Sequence, residues 1–471
     1  MITAIRQNPS ATAGDEKECF YYDARQRLTR GYTIGDVNGT CPTSAPSDAT
    51  TPGGAAPSNE GYTYATRDIM TNNDGRAYTY AANVSALPCQ SGTDDPKPNA
   101  VSEVSAGNGH AAEKFWYDCN GSMMARTSGT TSRSSYAYDE NNRLIAVAEG
   151  DPVAWTNKIN TTVDSSTGDL ISGTIGGSSY DAGASSTQTI SGDGAVSFRF
   201  RERGTPRLVI GLNKVDNNTT YQEIDYMIHQ NGGRDIYIYE HGSRKDPSGG
   251  GAWFYDAEET DVFTIERSSN RVLYLRNGKI FYESATTAAG SYVVDASFVY
   301  TDTALGDVII STGDSGVTRH VYDVAGQRVL RVEPDGSKTV YLGTTELRWT
   351  PGSSSVQAAR SYPGGTRREF DGSLTYTVAG HQASVIASVD ATTAAVTHNR
   401  YLPYGELRGG TTVDDKGFLN QTHDNTSSLV YLNNRYHDPA RVMFVLVDPL
   451  FVKTEWLAVV LSHSGGAAPC L

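Results

Sequence analysis

At 471 residues, with a formal net charge of −14 and 48 glycines beside 28 tyrosines, the chain is too long for one ordinary core, and its length gives a prior of roughly three domains. Gly, Tyr, Ser and Thr favour turns and strands, so an all-β fold is expected. The acidic balance, with no basic run longer than Arg367-Arg368, argues against a nucleic-acid partner, because displacing phosphate counterions needs clustered Lys and Arg.

The first residues, MITAIRQNPSATAGDEKE, carry no basic region followed by an apolar one, and no stretch approaches the roughly 20 apolar residues of a membrane span. No membrane span is expected. Either the protein is cytoplasmic or these residues are an internal piece of a longer exported chain. Cys19, Cys41, Cys89, Cys119 and Cys470 are odd in number and form no C-x-x-C, which signals neither a zinc site nor a full disulfide framework. In an exported chain one pair among the first four could bridge.

Four segments share a Tyr-Asp start, a polar turn and an apolar restart: YYDARQRLTR at 21–30, WYDCNGSMMA at 116–125, AYDENNRLIA at 137–146 and VYDVAGQRVL at 321–330. The paired residues are Tyr22-Asp23, Tyr117-Asp118, Tyr138-Asp139 and Tyr322-Asp323. Tyr22 lies twice as far from Tyr64 as Tyr117 does from Tyr138, so YTYATRDIMT at 62–71 reads as a decayed copy. A repeat of this length fits one hairpin per unit. In each, the Tyr ring is expected to pack on the sheet with its hydroxyl in water, while the Asp accepts backbone amides and starts the turn. Gly326, or Asn142 in the same place, can take the left-handed conformation, and Leu28, Met123, Leu144 and Val329 re-enter a strand. These aspartates read as scaffolding, not as catalysts. Segments 40–60 and 88–109, rich in Pro, Gly, Ser and Thr, read as long surface loops.

The repeat register stops near 150 and resumes near 307, which predicts a hairpin segment over 1–150 and an inserted domain over 151–306. Within the insertion VSFRFRER, RLVIGLNKV, IDYMIHQ, DIYIYEHG, DVFTIERS, RVLYLRNG and KIFYES each alternate apolar and polar residues, the period of half-buried strands. Asn277-Gly278 is a strong hairpin signal. So many strands in so short a span predict a jelly-roll-like β-sandwich. Trp253, Tyr255, Tyr237 and Tyr239, with Asp216, Asn217 and Asn218 in a loop, could stack on and hydrogen-bond a sugar. The alternative is that these rings are core or sheet-face residues. In order and text, the strands over 155–300 resemble the concanavalin A-like or laminin-G-like sandwich modules of bacterial surface proteins.

From 307 onward GVTRHVYDVAGQRVLRVEPDGSKTVYLG (316–343), DGSLTYTVAGHQASVIASVDATTAAVTHNRYLPYGELRGG (371–410) and GFLNQTHDNTSSLVYLNNRYHDPARVMFVLVDPL (417–450) resemble the Rhs repeat-associated core, and the upstream copies resemble YD repeats. Together they cover about two thirds of the chain. The motif residues are Tyr401, Pro403, Tyr404, Gly405 and Glu406, then Leu429, Val430, Tyr431, Leu432, Arg435, Tyr436, Asp438 and Pro439. The resemblance implies a YD-repeat β-hairpin shell with an inserted sandwich, its core at 307–450 and an eroded tail at 451–471. It also implies a secreted or cell-surface location as part of a longer chain, and a C-terminal toxin segment that the shell encloses or presents.

Departures from the family pattern matter too. Gly380-His381-Gln382-Ala383-Ser384 stands where the family has D-H-x-G-S, losing an Asp and a turn Gly. Val442-Met443-Phe444-Val445-Leu446-Val447-Asp448-Pro449 replaces G-R-F-L-S-x-D-P. Self-cleaving members of the family use two carboxylates. Asp448 stands at the first position, but the second reads Ala468-Pro469-Cys470-Leu471, and a lone Asp cannot run dyad chemistry. Asp448 is therefore a vestige, and no enzyme activity is expected. There is no H-E-x-x-H or G-x-S-x-G, and His229 and His241 lie in or beside strands, so no metal, cofactor or triad is expected. Three functions remain: a structural shell, glycan binding by the sandwich, and self-hydrolysis. The first is favoured, the second can coexist with it, and the missing Asp opposes the third.

Overall fold

The computed structural model describes residues 3–7, 16–65, 69–80, 100–118, 120–201, 206–312, 316–411 and 415–447. The Tyr-Asp copies fold alike, and their shared turn sets the architecture. Asp23 Oδ1 accepts the backbone N–H groups of Arg25 and Arg27 at 2.9 and 3.0 Å. Asp139 takes those of Asn141 and Arg143 at 3.0 and 2.9 Å, Asp323 those of Ala325 and Gln327 at 2.9 Å, and Asp118 that of Ser122 at 2.8 Å. The residue four places after each Tyr is left-handed: Gln26 (φ 65°), Gly121 (89°), Asn142 (57°) and Gly326 (82°).

Each turn closes on a β-bulge at the Tyr, so Tyr22 faces Leu28, Tyr64 faces Met70, Tyr117 faces Met123 and Tyr138 faces Leu144. At the fourth copy Tyr322 faces Arg328, and Val329, one place further on, lies in the strand Arg328–Val332 as expected. The expectation of water-exposed tyrosine hydroxyls is corrected. Tyr64 donates to the Leu28 carbonyl (2.8 Å), Tyr80 to Met70 (2.6 Å), Tyr138 to Met123 (2.8 Å) and Tyr322 to Leu144 (2.6 Å). A bulge disrupts the backbone ladder, and a buried carbonyl there needs a donor. The Tyr of the following unit supplies it, which stitches successive hairpins together.

Two further turns keep this register without the Asp. Ala379 faces Val385 and Tyr401 faces Leu407, with Ala383 (φ 65°) and Gly405 (φ 100°) at the left-handed place. Gly405 is required twice over, since a Cβ there would also collide with the Phe418 ring. Ala383 has no such freedom and is strained by about 1–2 kcal/mol.

These hairpins join into one antiparallel ribbon in which every strand pairs with the next, from Ala4–Gln7 through Leu144–Pro152 and then from Val317–Tyr322 to Val396–His398. The chain is all-β, and no α-helix occurs among the described residues. Between Leu144–Pro152 and Val317–Tyr322, which pair directly at Ala148 and Val317, the chain builds two more sheets. One has seven strands: Trp155–Ile159, Ala182–Ile190, Tyr292–Phe298, Leu208–Asn213, Tyr226–Gln230, Ile236–Glu240 and Ser243–Lys245. The other is built on Gly194–Phe200, Phe263–Ser268, Arg271–Arg276 and Ala304–Thr312. Val196, Phe198, Ile265 and Ile310 face Leu208, Ile210, Ile228 and Val294 in a shared buried core. Alternation along each strand puts these apolar residues inward, and the result is a sandwich. Asn277 (φ 50°) and Gly278 (φ 72°) turn its expected hairpin.

Ala304–Thr312 also pairs with Asp151 and Pro152, so this second sheet is continuous with the ribbon. Asp307 fixes the junction. Fully buried, it binds Arg133 Nη2 at 2.6 Å, Arg199 Nε at 3.2 Å and Arg201 Nη2 at 3.4 Å.

Candidate functional site

The C-terminal motif residues converge on the interior of the ribbon. Thr422–Asp424, Leu429–Tyr431, Tyr436–Asp438 and Met443–Phe444 form a four-stranded sheet. Leu429, Tyr436, Val445 and Leu446 pack into one buried cluster with Tyr117, Met123, Tyr136 and Leu144 of the ribbon. Ion pairs then tie this sheet to both halves. Toward the first half, Asp438 accepts Arg126 Nη1 at 2.9 Å, and Arg441 pairs with both Asp438 and Glu113. Asp438 is buried, which raises a carboxyl, yet Arg441 and Arg126 hold it below the usual carboxylate range. It is an anchor with both partners in place, and Pro439 opens the short turn after it.

Toward the second half, Asp424 is fully buried between Arg328 Nη1, at 2.5 Å, and Arg331. Arg328 stacks over the rings of Tyr431 and Tyr341 with its guanidinium carbon 4.6 and 4.9 Å from their centroids. The Tyr436 hydroxyl lies 3.2 Å from Arg328 Nη1 and 3.0 Å from the Tyr322 hydroxyl. His320 packs on Tyr436 with centroids 5.2 Å apart. Burial pushes its imidazole down to about 3, so it is neutral. Arg435 stacks on Phe444 at 3.8 Å.

The Tyr401–Glu406 motif clasps the early hairpins to the same C-terminal sheet. The Tyr404 ring meets Tyr62 edge-on at 5.2 Å, its hydroxyl lies 2.9 Å from that of Tyr64, and its carbonyl lies 2.9 Å from His437 Nε2. Arg408 binds Glu16, Glu18 and the Ala56 carbonyl. The chain after the last ribbon strand thus packs on the first strands. Asp448, the vestigial dyad candidate, lies outside the described residues.

In the sandwich the outward residues of the seven-stranded sheet carry a second constellation. Tyr237, Tyr239 and His229 share that face; His229 lies 5.6 Å from Tyr239 and 6.1 Å from Tyr237 between centroids. Tyr221, from the loop over 214–224, meets Tyr239 edge-on at 5.6 Å and Tyr180 at 4.9 Å. The Tyr180 hydroxyl lies 3.2 Å from His229 Nε2. Burial and the nearby Arg207 push His229 down to about 4, leaving a neutral ring. Arg244 lies over Tyr237 at 5.0 Å.

The same loop gathers carboxylates. Oxygens of Asp216, Glu223 and Asp295 lie within 4.8 Å of one another, and an all-oxygen set of this kind could hold a hard cation such as Ca²⁺. Asp295 is buried and accepts Asn213 Nδ2 at 2.7 Å. Burial, reinforced by Asp216 and Glu223 against that hydrogen bond, pushes its carboxyl up to about 7. Asn217 and Asn218 bind Glu223 through their backbone N–H groups.

Of the residues singled out as sugar ligands, Tyr237 and Tyr239 thus belong to this face, and Asp216, Asn217 and Asn218 to its loop. Trp253 stands apart: it packs on Phe281 and Tyr282 and donates Nε1–H to the Lys245 carbonyl at 2.7 Å. Tyr255 is exposed beside Ala252. Sequence reasoning missed Tyr180, Tyr221, Glu223 and Asp295; for Asp295 the signal was a carboxylate alternating with Val294 and Ala296.

No family model matches the chain, and no curated protein matches it. Among solved structures it is similar to the TcdB2-TccC3 toxin complex (12% identity, 93% of this chain and 20% of that one, TM-score 0.27). It is also similar to the carbohydrate-binding module CBM66 from Bacillus subtilis (12%, 35% and 96%, 0.24) and the SPRY domain of human HERC1 (14%, 34% and 97%, 0.25). The chain spans about a fifth of the toxin-complex chain that it matches.

Proposed function

We propose that this chain is a shell segment of a secreted or surface protein of the Rhs/YD-repeat type, without enzyme activity of its own, divided into ribbon (1–150), inserted sandwich (151–306) and core (307–450). Its task is to hold a C-terminal segment in place, including a toxin segment in a longer chain. The observation that carries this reading is the double anchoring of the C-terminal sheet: Asp438 and Arg441 bind the first half of the ribbon and Asp424 the second. A catalytic carboxyl needs room to exchange a proton with substrate or water; Asp438 and Asp424 are each occupied by two guanidiniums. Limited proteolysis of the intact chain tests the shell. Residues 422–444 are expected to stay uncut while the 40–58 loop is nicked. Early cleavage inside 422–444 under native conditions would refute it.

A second role rests on the aromatic face of the sandwich. Tyr237 and Tyr239 sit partly exposed beside Tyr221, and rings in this setting offer stacking surfaces for a sugar, each contributing about 1 kcal/mol. Titration with soluble polysaccharides is expected to show weak binding, millimolar to micromolar by rough estimate. Tyr239→Ala should weaken that binding by about fivefold, a loss of about 1 kcal/mol, while Trp253→Phe leaves it unchanged. If neither polysaccharide binding nor a Tyr239 effect appears, the sandwich is a spacer.

A further inference from the structure

Glu60, Asp74 and Glu406 meet across the clasp. Glu60 lies in the strand Asn59–Tyr64, Asp74 in the turn after Met70–Asn73, and Glu406 follows Tyr404. They line one cavity of about 250 Å³ together with Tyr62, Tyr404, His110, Asn108 and Pro439. The cavity thus spans the seam between the early hairpins and the C-terminal motif. Two arginines also face these carboxyls. Arg30 binds Asp48 and Asn59 and favours the ionised form of Asp74, and Arg76 lines the cavity while binding Glu113 at 2.6 Å. His110, which lines the same cavity, has its Nε2 3.9 Å from Glu406. Ser58 reaches Glu60 at 3.5 Å, Asn108 Nδ2 donates to the Asp74 carboxyl, and the Glu60 and Asp74 carboxyls act on each other within the cavity.

A carboxyl can bond a carboxylate only while one of them holds a proton, and two ionised neighbours in a half-buried cavity repel. We propose that Glu60, Asp74 and Glu406 form a proton-dependent latch on the clasp: closed while Glu60 and Asp74 share a proton, loosened when both are ionised. Burial, then Asp74 and Glu406, push Glu60 up to about 7, and burial raises Asp74 as well. The sign follows. A carboxyl whose folded pKa is raised binds more protons folded than unfolded, so its contribution is fully present below about pH 4.5 and is lost as pH rises through 7. The latch is independent of whether the shell carries a toxin or the sandwich binds sugar.

Hydrogen exchange of the intact chain at pH 5.5 and 8, corrected for intrinsic rates, tests the latch. Amides over 59–64 and 401–409 are expected to lose protection by about tenfold or more on going to pH 8, while those over 317–332 do not. Glu60→Gln, which cannot ionise, should keep the clasp protected at both pH values, and Glu406→Gln should lessen the response. His110→Gln should leave it intact. Equal protection of the native clasp at both pH values would overturn the latch, as would a response that survives Glu60→Gln or vanishes with His110→Gln.

Discussion

Asp424→Asn is expected to destabilise the chain by about 3–5 kcal/mol, the usual cost of removing one partner from a buried ion pair. Asn keeps the side-chain volume, so the loss is electrostatic. Arg328 would be left fully buried without its counter-charge, and Arg331 with only Glu333 at 2.5 Å and Asp415 at 3.9 Å, beside His320, whose neutral ring cannot supply one. Urea unfolding gives the magnitude, and proteolysis gives the place: residues 422–444 should become cleavable before the sandwich does. A loss under about 1 kcal/mol, the scale of exposed pairs, would mean that the anchor is ornamental. Replacing Asp424, Arg328 and Arg331 together by Leu and Met should recover much of the loss, since buried ion clusters can be exchanged for apolar packing at little net cost.

The pH dependence of the same anchor can be worked out. Burial raises Asp424, but Arg328 and Arg331 outweigh it and hold the carboxyl well below its ordinary range. A depressed carboxyl contributes stability above its unfolded pKa and loses it as pH falls through the folded one. His320 acts in the same direction: neutral in the fold, with a pKa of about 3, it favours unfolding between roughly pH 6.5 and 3. Acid therefore weakens the anchor of the C-terminal sheet, whereas alkali loosens the clasp.

The repeats were legible because an Asp that caps a turn does so with local partners, Arg25 and Arg27 for Asp23, all within one short segment. The turns at Gly380 and Leu402 keep the bulge and the left-handed residue but not the Asp, so the most visible letter was gone while the backbone persisted. Sandwich strands announced themselves by alternation, which placed Tyr237 and Tyr239 on one face. Tyr221 reaches that face from a loop, and no periodicity reports it. The anchors were invisible for a different reason. Arg126 and Asp438, or Arg328 and Asp424, are far apart in sequence, and nothing in a single chain says which buried Arg a given Asp will find. Arg328 even stands opposite Tyr322, where the other copies carry Leu28, Met123 and Leu144, and the apolar restart drew the eye to Val329 beside it. The tyrosine hydroxyls were misjudged because the bulge that creates their acceptor is a property of pairing, not of composition.

Opening the disulfide between Cys19 and Cys41 is expected to cost about 3 kcal/mol, from the chain entropy of a loop of this length. The two Cα atoms are 5.7 Å apart with a sequence separation of 22, inside the range that a disulfide spans without moving the backbone. Cys19 is fully buried in the strand Glu16–Tyr22, while Cys41 begins the Pro- and Ser-rich loop. That loop lies against the sheet through Tyr21, whose hydroxyl donates to the Pro42 carbonyl at 2.9 Å, Tyr32, which donates to Thr51 at 2.8 Å, and Asn59, which donates to Ser47 at 2.9 Å. With the crosslink gone, polar contacts such as these and the Arg30–Asp48 pair must hold a loop that has no apolar core of its own. The strand it covers also carries Glu16 and Glu18, the partners of Arg408, so loosening the loop should reach the clasp. Cys19→Ala with Cys41→Ala, compared with the oxidised chain by urea unfolding, should show the loss, and exchange should rise over 40–58 first and over 401–409 next. Unchanged stability together with unchanged exchange would remove the crosslink as a structural element. A crosslink of this strength is useful where thiols are kept oxidised, which fits the proposed secreted or surface location. Alkylation of the chain recovered from its native compartment should therefore leave Cys19 and Cys41 unmodified until a reductant is added.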